Sequence, residues 1–311
     1  RILVIKLGAL GDFVQAMGPF AAIRAHHGNA HLVLLTTEPY LELARASGLF
    51  DEIWCDSRPS GLDLAGWFKL RRRLRGGRFA RVYDLQTSDR SSFYFRLLAP
   101  GSRPEWSGVA GGASHPHANP ARDALHTIER QAEQLKMAGI ENVPDPEIAL
   151  KGKAFEPADD AFLGNLGITP PFALMVPGGA AHRPEKRWPV ANFAALANHL
   201  AADGVQPVLL GTAAEKQTLA ELVRACPKAV DLTGRTGLPA LVRLARAARL
   251  GVGNDTGPMH LIAAAGCPAL VLFSGASDPA LCGQRGARVT ILCRDRLQDI
   301  TVEDAIAGMP A

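Results

Sequence analysis

The sequence predicts an α/β protein made of two doubly wound domains with parallel sheets. Short, nearly continuous apolar segments alternate with longer amphipathic segments, a pattern typical of buried parallel strands covered by helices on both faces. The chain has 311 residues, which is more than one hydrophobic core usually supports. A proline-rich stretch without periodicity, residues 144–160, separates two runs of this pattern and is predicted to link the domains.

The first run supplies an N-terminal domain, predicted over residues 1–155. Its predicted strands are residues 2–7, 31–35 and 80–85, and its predicted helices are residues 13–27, 40–47 and 126–139. Residues 101–122 are rich in Gly, Pro, Ser and Ala and have no period, so a long mobile loop is expected there.

The second run supplies a C-terminal domain, predicted over residues 156–295. Its predicted strands are residues 172–176, 206–210, 250–253 and 269–273, and its predicted helices are residues 190–202, 215–224, 238–249 and 259–265. Residues 296–311 are predicted to pack back towards the N-terminal domain. Open α/β sheets bind ligands at the carboxyl ends of their strands, so we expect a ligand cleft between two facing domains.

The composition excludes several classes of protein. With 47% apolar and 21% charged residues, the chain is neither disordered nor fibrous. The longest apolar run, residues 261–273, contains Gly266 and Pro268 and is too short to cross a bilayer. The first apolar run is also too short for the core of an export signal. Five cysteines without a C-x-x-C pair argue against a disulfide framework or zinc knuckle, so we expect a cytoplasmic protein.

A carboxylate stands in the first loop between a strand and a helix, in RILVIKLGALGDFVQAM. Glycine loops at this position commonly bring backbone N–H groups to a phosphate, which a carboxylate would oppose. Asp12 and Gln15 have the spacing of a capping box, so one interpretation makes Asp12 an N-cap. The alternative is a general base, since a helix N-terminus keeps a carboxylate ionised.

Two further loops in the C-terminal half carry polar groups at the ends of strands. The first of these is the segment VPGGAAHRPEKRWP, which contains Lys186 and two glycines, Gly178 and Gly179, that free the backbone to approach a ligand. The alternative interpretation is a surface loop with solvated basic residues. GVGNDTGPMH leads from a strand into a helix and crowds several polar groups at one point. The residues at this point are Asp255, Thr256, Gly257 and His260. Taken alone, His260 could equally be a partly buried structural histidine.

These motifs together resemble glycosyltransferase family 9, the ADP-heptose:lipopolysaccharide heptosyltransferases. The resemblance rests on IKLGALGD, FDEIW, PGG with EKRWP, LTGRTGL and VGNDTGPMHLIAAAG, which occur in the family's order across essentially the whole chain. It implies a GT-B fold, in which two Rossmann-like domains face a central cleft. The first domain would bind the acceptor and the second the nucleotide sugar.

The resemblance also implies roles for individual residues. Asp12 matches the catalytic base, and Lys186 matches the lysine on the donor's phosphates. Glu215 is placed like the acid that binds the ADP ribose, and Thr236 lies in the segment that lines the adenine pocket. The donor sugar and diphosphate would be held by a further set: Gly178, Gly179, Asp255, Thr256, Gly257 and His260. The loop before Lys186 departs from the family because residues 177–187 contain neither Ser nor Thr; backbone N–H groups or His182 would replace the hydroxyl.

The implied activity is an inverting transfer of heptose from ADP-L-glycero-D-manno-heptose to a lipopolysaccharide inner-core acceptor carrying lipid A and Kdo. No cofactor and no metal are expected, since the sequence has no D-x-D triplet and no cluster of metal ligands. The basic stretch GWFKLRRRLRGGRFARV is typical of a solvated helix face. With such an acceptor, we favour acceptor binding by Lys69, Arg71, Arg72 and Arg73, or contact with the cytoplasmic face of the inner membrane.

Three alternatives stay open at this stage. The first is a GT-B glycosyltransferase that uses another nucleotide sugar. The second is a nicotinamide-dependent oxidoreductase, although Gly8-Ala9-Leu10-Gly11 does not match G-x-G-x-x-G. The third is a two-domain binding protein without turnover, which would not need Asp12. Nucleic-acid binding is not expected because no recognisable nucleic-acid module accompanies the basic stretch.

Overall fold

The computed structural model describes residues 1–98, 101, 103–146, 150, 152–180 and 182–310. The chain divides into two compact units, Arg1–Leu150 and Lys151–Ala311. The division falls inside the stretch predicted to be the linker. Of the helices in the described ranges, none combines the length and apolar character that crossing a bilayer requires.

The first unit is a parallel sheet covered by helices. Its strands are β1 Ile2–Ile5, β2 Leu32–Thr36, β3 Glu52–Cys55, β4 Arg81–Asp84, β5 Glu105–Gly108 and β6 His115–Pro116. Its helices are α1 Leu10–Gln15, α2 Met17–His26, α3 Leu41–Ser47, α4 Leu64–Gly76, α5 Asp89–Leu97 and α6 Thr127–Met137. The strand order among the described residues is β3-β2-β1-β4-β5-β6, all parallel. The order therefore reverses direction between β1 and β4.

The second unit repeats this architecture. Its strands are β7 Phe172–Val176, β8 Gln206–Leu209, β9 Val230–Asp231, β10 Leu250–Asn254, β11 Ala269–Ser274 and β12 Val289–Arg294. Its helices are α7 Asp160–Leu166, α8 Val190–Ala202, α9 Lys216–Ala225, α10 Leu238–Ala247, α11 Gly257–Ala264, α12 Pro279–Cys282 and α13 Val302–Ala307. The described strands are parallel in the order β12-β11-β10-β7-β8-β9. Here the reversal lies between β7 and β10.

Each unit has its own core because its strands are apolar on both faces. All four residues of β1 and all five of β7 are buried. In the second unit the C-terminal segment belongs to this core: Leu297, Ile300 and Ala305 are buried with residues of α8. The indole N–H of Trp188 also donates to the carbonyl of Ile300 at 2.9 Å, which anchors this segment.

Two local expectations were wrong. The helix predicted over residues 13–27 is two helices, since the helical pattern is interrupted at Ala16, the C-cap of α1. The long loop predicted over residues 101–122 contains β5 and β6, which extend the sheet beyond β4. Trp106 explains why β5 forms there, because this strand buries the indole almost completely.

Candidate functional site

The first candidate site lies at the carboxyl end of β1, next to the point where the strand order reverses. Chain direction changes sharply at Gly8, whose φ is +123°. A Cβ on Gly8 would lie 2.8 Å from the hydroxyl of Tyr40, so only glycine fits there. The ring of Tyr40 stacks on Phe13 of α1 at 5.0 Å between ring centroids. These contacts fix the loop that leads to Asp12.

Asp12 is not an N-cap, contrary to one interpretation of the sequence. The N-cap of α1 is Ala9, and Asp12 is the third residue of the helix. Its Oδ2 accepts the backbone N–H of Ala9 at 3.3 Å, so it still caps the helix from inside. Gln15, the predicted capping partner, is the last residue of α1 and is buried. This long hydrogen bond uses one carboxylate oxygen and leaves lone pairs for another proton donor.

Two cavities meet at Asp12. The larger, about 670 Å³, runs from the Gly8 loop past Tyr40 to Arg58. The smaller, about 50 Å³, lies on the β4 side and has a cationic lining. Its polar lining residues are Lys6, Asp12, Gln86, Thr87, Arg122, Arg130, Gln131 and Gln134.

The small cavity is built from buried polar groups. Lys6 is only 4% exposed and its ammonium donates to the carbonyl of Leu85 at 3.0 Å. Burial lowers the pKa of Lys6, while the nearby carboxylate of Asp12 opposes that shift. Gln131 is also buried, and among the described residues neither atom of its amide has a hydrogen-bond partner. Because buried amides are normally satisfied, this one indicates a place for a polar ligand group.

Asp84 lies beneath this site at the end of β4. Its Oδ1 accepts the backbone N–H groups of Gln86 and Thr87 at 3.1 and 3.0 Å, which shapes the turn after the strand. Burial raises the pKa of Asp84 to about 6, although these hydrogen bonds and Lys6 act in the opposite direction.

The second candidate site lies at the carboxyl ends of β7 and β10, where the second sheet reverses. The Lys186 ammonium and the Asp255 carboxylate form an ion pair at 2.8 Å, and both side chains are mostly buried. The amide of Gln284 donates to the other oxygen of Asp255 at 3.3 Å. Asp255 is followed directly by Thr256, the N-cap of α11, whose first residue is Gly257. His260 is buried one turn later.

Glu215 holds the backbone of two loops at this site. One carboxylate oxygen accepts the backbone N–H of Gly179 at 2.9 Å, and the other accepts the backbone N–H of Thr212 at 2.8 Å. A Cβ on Gly178 would lie 1.6 Å from the first oxygen, which explains the glycine. Thr236 lies in the next loop, which is tied to the same region by the backbone bond from Gly234 to Gly211 at 2.9 Å. The structure therefore gathers the predicted donor residues at one sheet edge.

Asn254 is a positioning residue that the sequence interpretation missed. Its Nδ2 donates to the carbonyls of Pro177 and Gly178 at 2.8 and 3.0 Å, and its Oδ1 accepts the backbone N–H of Trp188 at 3.0 Å. It thereby joins the end of β10 to both ends of the loop that carries Lys186. Its position directly before Asp255 was the available signal.

The basic residues predicted to bind the acceptor do not line either cavity at Asp12. Lys69 and Arg72 are exposed on α4. Arg71 donates to the carbonyl of Leu97 at 3.0 Å, and the guanidinium of Arg73 lies 4.3 Å from the ring centroid of Trp54. The cations near Asp12 come instead from parts of the chain to which the sequence interpretation gave no role.

Comparison with known proteins decides the family. The model of glycosyltransferase family 9 (heptosyltransferase) matches residues 67–305. The chain belongs to glycosyltransferase family 9. This member is 29% identical to lipopolysaccharide heptosyltransferase 1 of Salmonella typhimurium over 94% of each chain. It is 26% identical to lipopolysaccharide heptosyltransferase 2 of the same organism, over 90% of this chain and 84% of the relative. It is therefore a glycosyltransferase, as the sequence predicted.

Solved structures confirm the predicted GT-B fold of this family 9 protein. E. coli ADP-heptose heptosyltransferase II aligns with a TM-score of 0.82 at 21% identity, over 99% of this chain and 97% of that one. E. coli heptosyltransferase WaaC with ADP-2-deoxy-2-fluoro heptose aligns with a TM-score of 0.77 at 17% identity, over 99% and 98%. Iron-containing TibC of E. coli aligns less closely, with a TM-score of 0.53 at 15% identity over 93% of this chain and 63% of TibC. Within the described residues here, no group of three or more His, Cys, Asp or Glu is placed to hold a metal ion.

Proposed function

We propose that this glycosyltransferase transfers heptose from ADP-L-glycero-D-manno-heptose to the inner core of a lipopolysaccharide acceptor, with inversion at the anomeric carbon. The observation that carries the proposal is the pair of polar sites at the two points of strand reversal. One presents a carboxylate beside a cationic cavity, and the other presents a lysine at a helix N-terminus. The similarity to lipopolysaccharide heptosyltransferases 1 and 2 supports the choice of substrates.

In this proposal the second unit binds the ADP-sugar. Glu215 accepts hydrogen bonds from the ribose hydroxyls with its remaining lone pairs, and the Thr236 loop lines the adenine. Lys186 and the N–H groups at the start of α11 stabilise the negative charge of the departing diphosphate. Asp255 holds Lys186 in place before the donor binds, and Asp255, Thr256, Gly257 and His260 contact the sugar and diphosphate.

The first unit binds the acceptor and supplies the base. The carboxylate of Asp12 takes the proton from the acceptor hydroxyl as that oxygen attacks the anomeric carbon and the bond from that carbon to the diphosphate oxygen breaks. The cavity lined by Lys6, Arg122 and Arg130 is suited to an anionic group of the acceptor, because charge-assisted hydrogen bonds are strong where water is largely excluded.

The test of this mechanism is Asp12→Asn. Asparagine keeps an oxygen for the N–H of Ala9 but cannot accept a proton. We expect kcat to fall by roughly 10²- to 10⁴-fold, the usual contribution of a general base, with ADP affinity unchanged. Folded Asp12→Asn protein that keeps its transfer rate would contradict the role of Asp12. Wild-type protein that transfers no heptose from ADP-heptose to a Kdo-lipid A acceptor would contradict the function itself.

A different nucleotide sugar is the second candidate, because residues 177–187 lack the hydroxyl side chain expected before Lys186. Thermal unfolding with ADP, ADP-heptose, UDP, GDP and NAD separates the two. A ligand at a hundredfold excess over its Kd stabilises the folded state by about 2.7 kcal/mol. We expect stabilisation by ADP and ADP-heptose. If only UDP or GDP stabilises the protein, the donor assignment is wrong.

Metal independence is part of the proposal, since Lys186 and the start of α11 supply the positive charge that a metal would otherwise provide. We expect the transfer rate to be unchanged after incubation with EDTA and after addition of Fe²⁺ or Mg²⁺. A rate that falls with EDTA and returns with one of these metals would contradict it.

We also propose that the start of α4 contacts the cytoplasmic face of the inner membrane. Leu62, just before α4, is 94% exposed, and Leu64 and Phe68 on α4 are 77% and 63% exposed. The exposed cations Lys69 and Arg72 lie on the same helix. Exposed apolar groups beside cations are typical of a surface that rests on an anionic bilayer.

Sedimentation with vesicles tests this contact. We expect the protein to bind vesicles that contain phosphatidylglycerol and not vesicles of pure phosphatidylcholine. The double variant Leu62→Ser, Leu64→Ser should bind several-fold less, whereas Met137→Ser, an exposed residue on α6, serves as the matched control. Equal binding by the double variant and the wild type would show that α4 is not the contact.

A further inference from the structure

His117 lies directly after β6 and belongs to a buried polar network. The proposed mechanism gives this network no role. Its side chain is completely buried. Its Nε2 lies 2.7 Å from a carboxylate oxygen of Glu133 on α6, and its Nδ1 lies 3.4 Å from Nε of Arg122. Glu133 also accepts two hydrogen bonds from the amide of Asn119.

The partners of His117 fix its protonation state. The hydrogen bonds from His117 and Asn119 lower the pKa of Glu133, so its carboxylate is ionised and only accepts. The Nε2 atom of His117 must therefore carry a proton. The Nε–H of Arg122 only donates, so Nδ1 must offer a lone pair. Both contacts are satisfied together by the neutral Nε2–H form alone.

Arg122 connects this network to the proposed active site. Among the residues that the structure describes, its guanidinium makes three contacts: Nε with His117, Nη1 with Asp123 at 3.0 Å and Nη2 with Thr87 at 3.2 Å. One N–H remains on each terminal nitrogen. Arg122 lines the small cavity that also contains Asp12. The carboxylate of Asp123 additionally pairs with Arg130, the other guanidinium of that cavity, at 3.4 Å.

We propose that neutral His117 is a positioning residue for acceptor binding, which holds Arg122 at the cavity beside Asp12 and releases it when protonated. Protonation places an N–H on Nδ1, which then opposes the N–H of Arg122 and adds a like charge. This inference rests on the proposed function, in which Arg122 binds an anionic group of the acceptor.

The test is the acceptor KM between pH 5.5 and 8.5 in the wild type, His117→Asn and His117→Leu. Asparagine can offer Oδ1 near the position of Nδ1 but does not titrate. We expect the wild-type acceptor KM to rise as the pH falls, and the Asn variant to keep its pH 8 value throughout. The Leu variant should show an acceptor KM raised about tenfold at all pH values, the order of one hydrogen bond to a charged group, with donor KM unchanged. His115→Asn, two residues earlier, is the matched control and should behave as the wild type.

Two results would overturn the proposal: an unchanged acid rise in His117→Asn, or an unchanged KM at pH 8 in His117→Leu. Nitrogen NMR of the wild-type protein gives a readout that needs neither variant nor substrate. At pH 8 we expect the signature of unprotonated Nδ1 in His117. A protonated Nδ1 at pH 8 contradicts the proposal. Absence of heptose transfer contradicts only the proposed function, because the NMR result still decides the contact between His117 and Arg122.

Discussion

Glu215 shows how one carboxylate both builds a site and remains available to a ligand. Its two oxygens hold the backbone at Gly179 and Thr212. The loop can approach this closely because Gly178 has no Cβ. The role expected from sequence, contact with a ribose, therefore comes with a structural one: the acid also fixes the loop that leads to Lys186.

The close approach of Glu215 to Gly178 can be tested by adding a Cβ to this glycine. Gly178→Ala would place a methyl group 1.6 Å from the Glu215 carboxylate, so Glu215 must move. We expect ADP affinity, measured by calorimetry, to fall about tenfold, in line with the few kcal/mol that overpacking costs. Gly164→Ala on α7 is the control, since a Cβ there would meet no atom within 4 Å. If both variants bind ADP equally well, Glu215 does not contact the nucleotide.

Asp84 makes stability depend on pH in an unusual direction. Its pKa is raised to about 6 in the folded protein, above the ordinary value of 3.8. The folded state therefore binds the proton more tightly than the unfolded state. The stability that this proton contributes is fully present below the ordinary value and is lost as the pH rises through about 6.

Asp84→Asn removes this titration while keeping an oxygen for the N–H groups of Gln86 and Thr87. Between pH 4 and 7, the free energy of unfolding of the variant should rise relative to that of the wild type by on the order of 2 to 3 kcal/mol. Urea denaturation at pH 4, 5, 6 and 7 measures this difference. A difference that stays constant over the range would mean that the carboxyl does not titrate there.

At the scale of elements, Asn254 connects β10 to the loop that follows β7. Its three hydrogen bonds satisfy two carbonyls and one N–H at a buried point where neither strand can pair further. A loop of some ten residues can then carry Lys186 to Asp255 at a fixed distance. The ion pair is thus a consequence of how the two strand ends are joined.

Asn254→Ala should lower the free energy of unfolding by about 1 to 3 kcal/mol, because it leaves buried backbone groups without partners. It should also weaken ADP binding, since the loop with Lys186 loses its attachment. The matched control is Asn198→Ala on α8, which removes hydrogen bonds at an exposed position and should cost less than about 1 kcal/mol. Equal losses of unfolding free energy in the two variants would show that the hydrogen bonds of Asn254 contribute little.

The elements themselves were predicted with uneven success. Strand β7, Phe172–Val176, and helix α8, Val190–Ala202, have the predicted bounds. Long apolar or periodic segments such as these are recognisable from the sequence alone. The strands β6 and β9 have two residues each and were not predicted. Elements this short carry no period, and they form because a neighbouring strand offers unpaired backbone groups.

At the scale of the whole molecule, the two units have separate hydrophobic cores. One cluster of buried residues centres on Leu3, Val33 and Val82, and another on Met175, Leu209 and Val252. Each unit also has its own candidate site at its own point of strand reversal. A ligand of one unit therefore has contacts to that unit's loops and strands.

Hydrogen exchange with ADP tests this division. We expect ADP to slow exchange in peptides at the carboxyl ends of β7, β8 and β10 and at the start of α11. Peptides that contain β1, β4 and the Asp12 loop should exchange at the rate of the free protein. Protection of the first unit equal to that of the second would contradict the assignment of the nucleotide to the second unit.

The sequence by itself determined the two doubly wound units and the three loops that carry polar groups, because hydrophobic period and strand-end motifs are local properties of the chain. It also carried the resemblance that the family comparison confirmed. Only the tertiary structure decided which side chains share a site. Lys6, Arg122 and Gln131 come from three distant segments, and their burial around one cavity beside Asp12 has no local signal. The basic run on α4 had the stronger pattern in sequence, yet the packing of the sheet places other cations at the carboxylate.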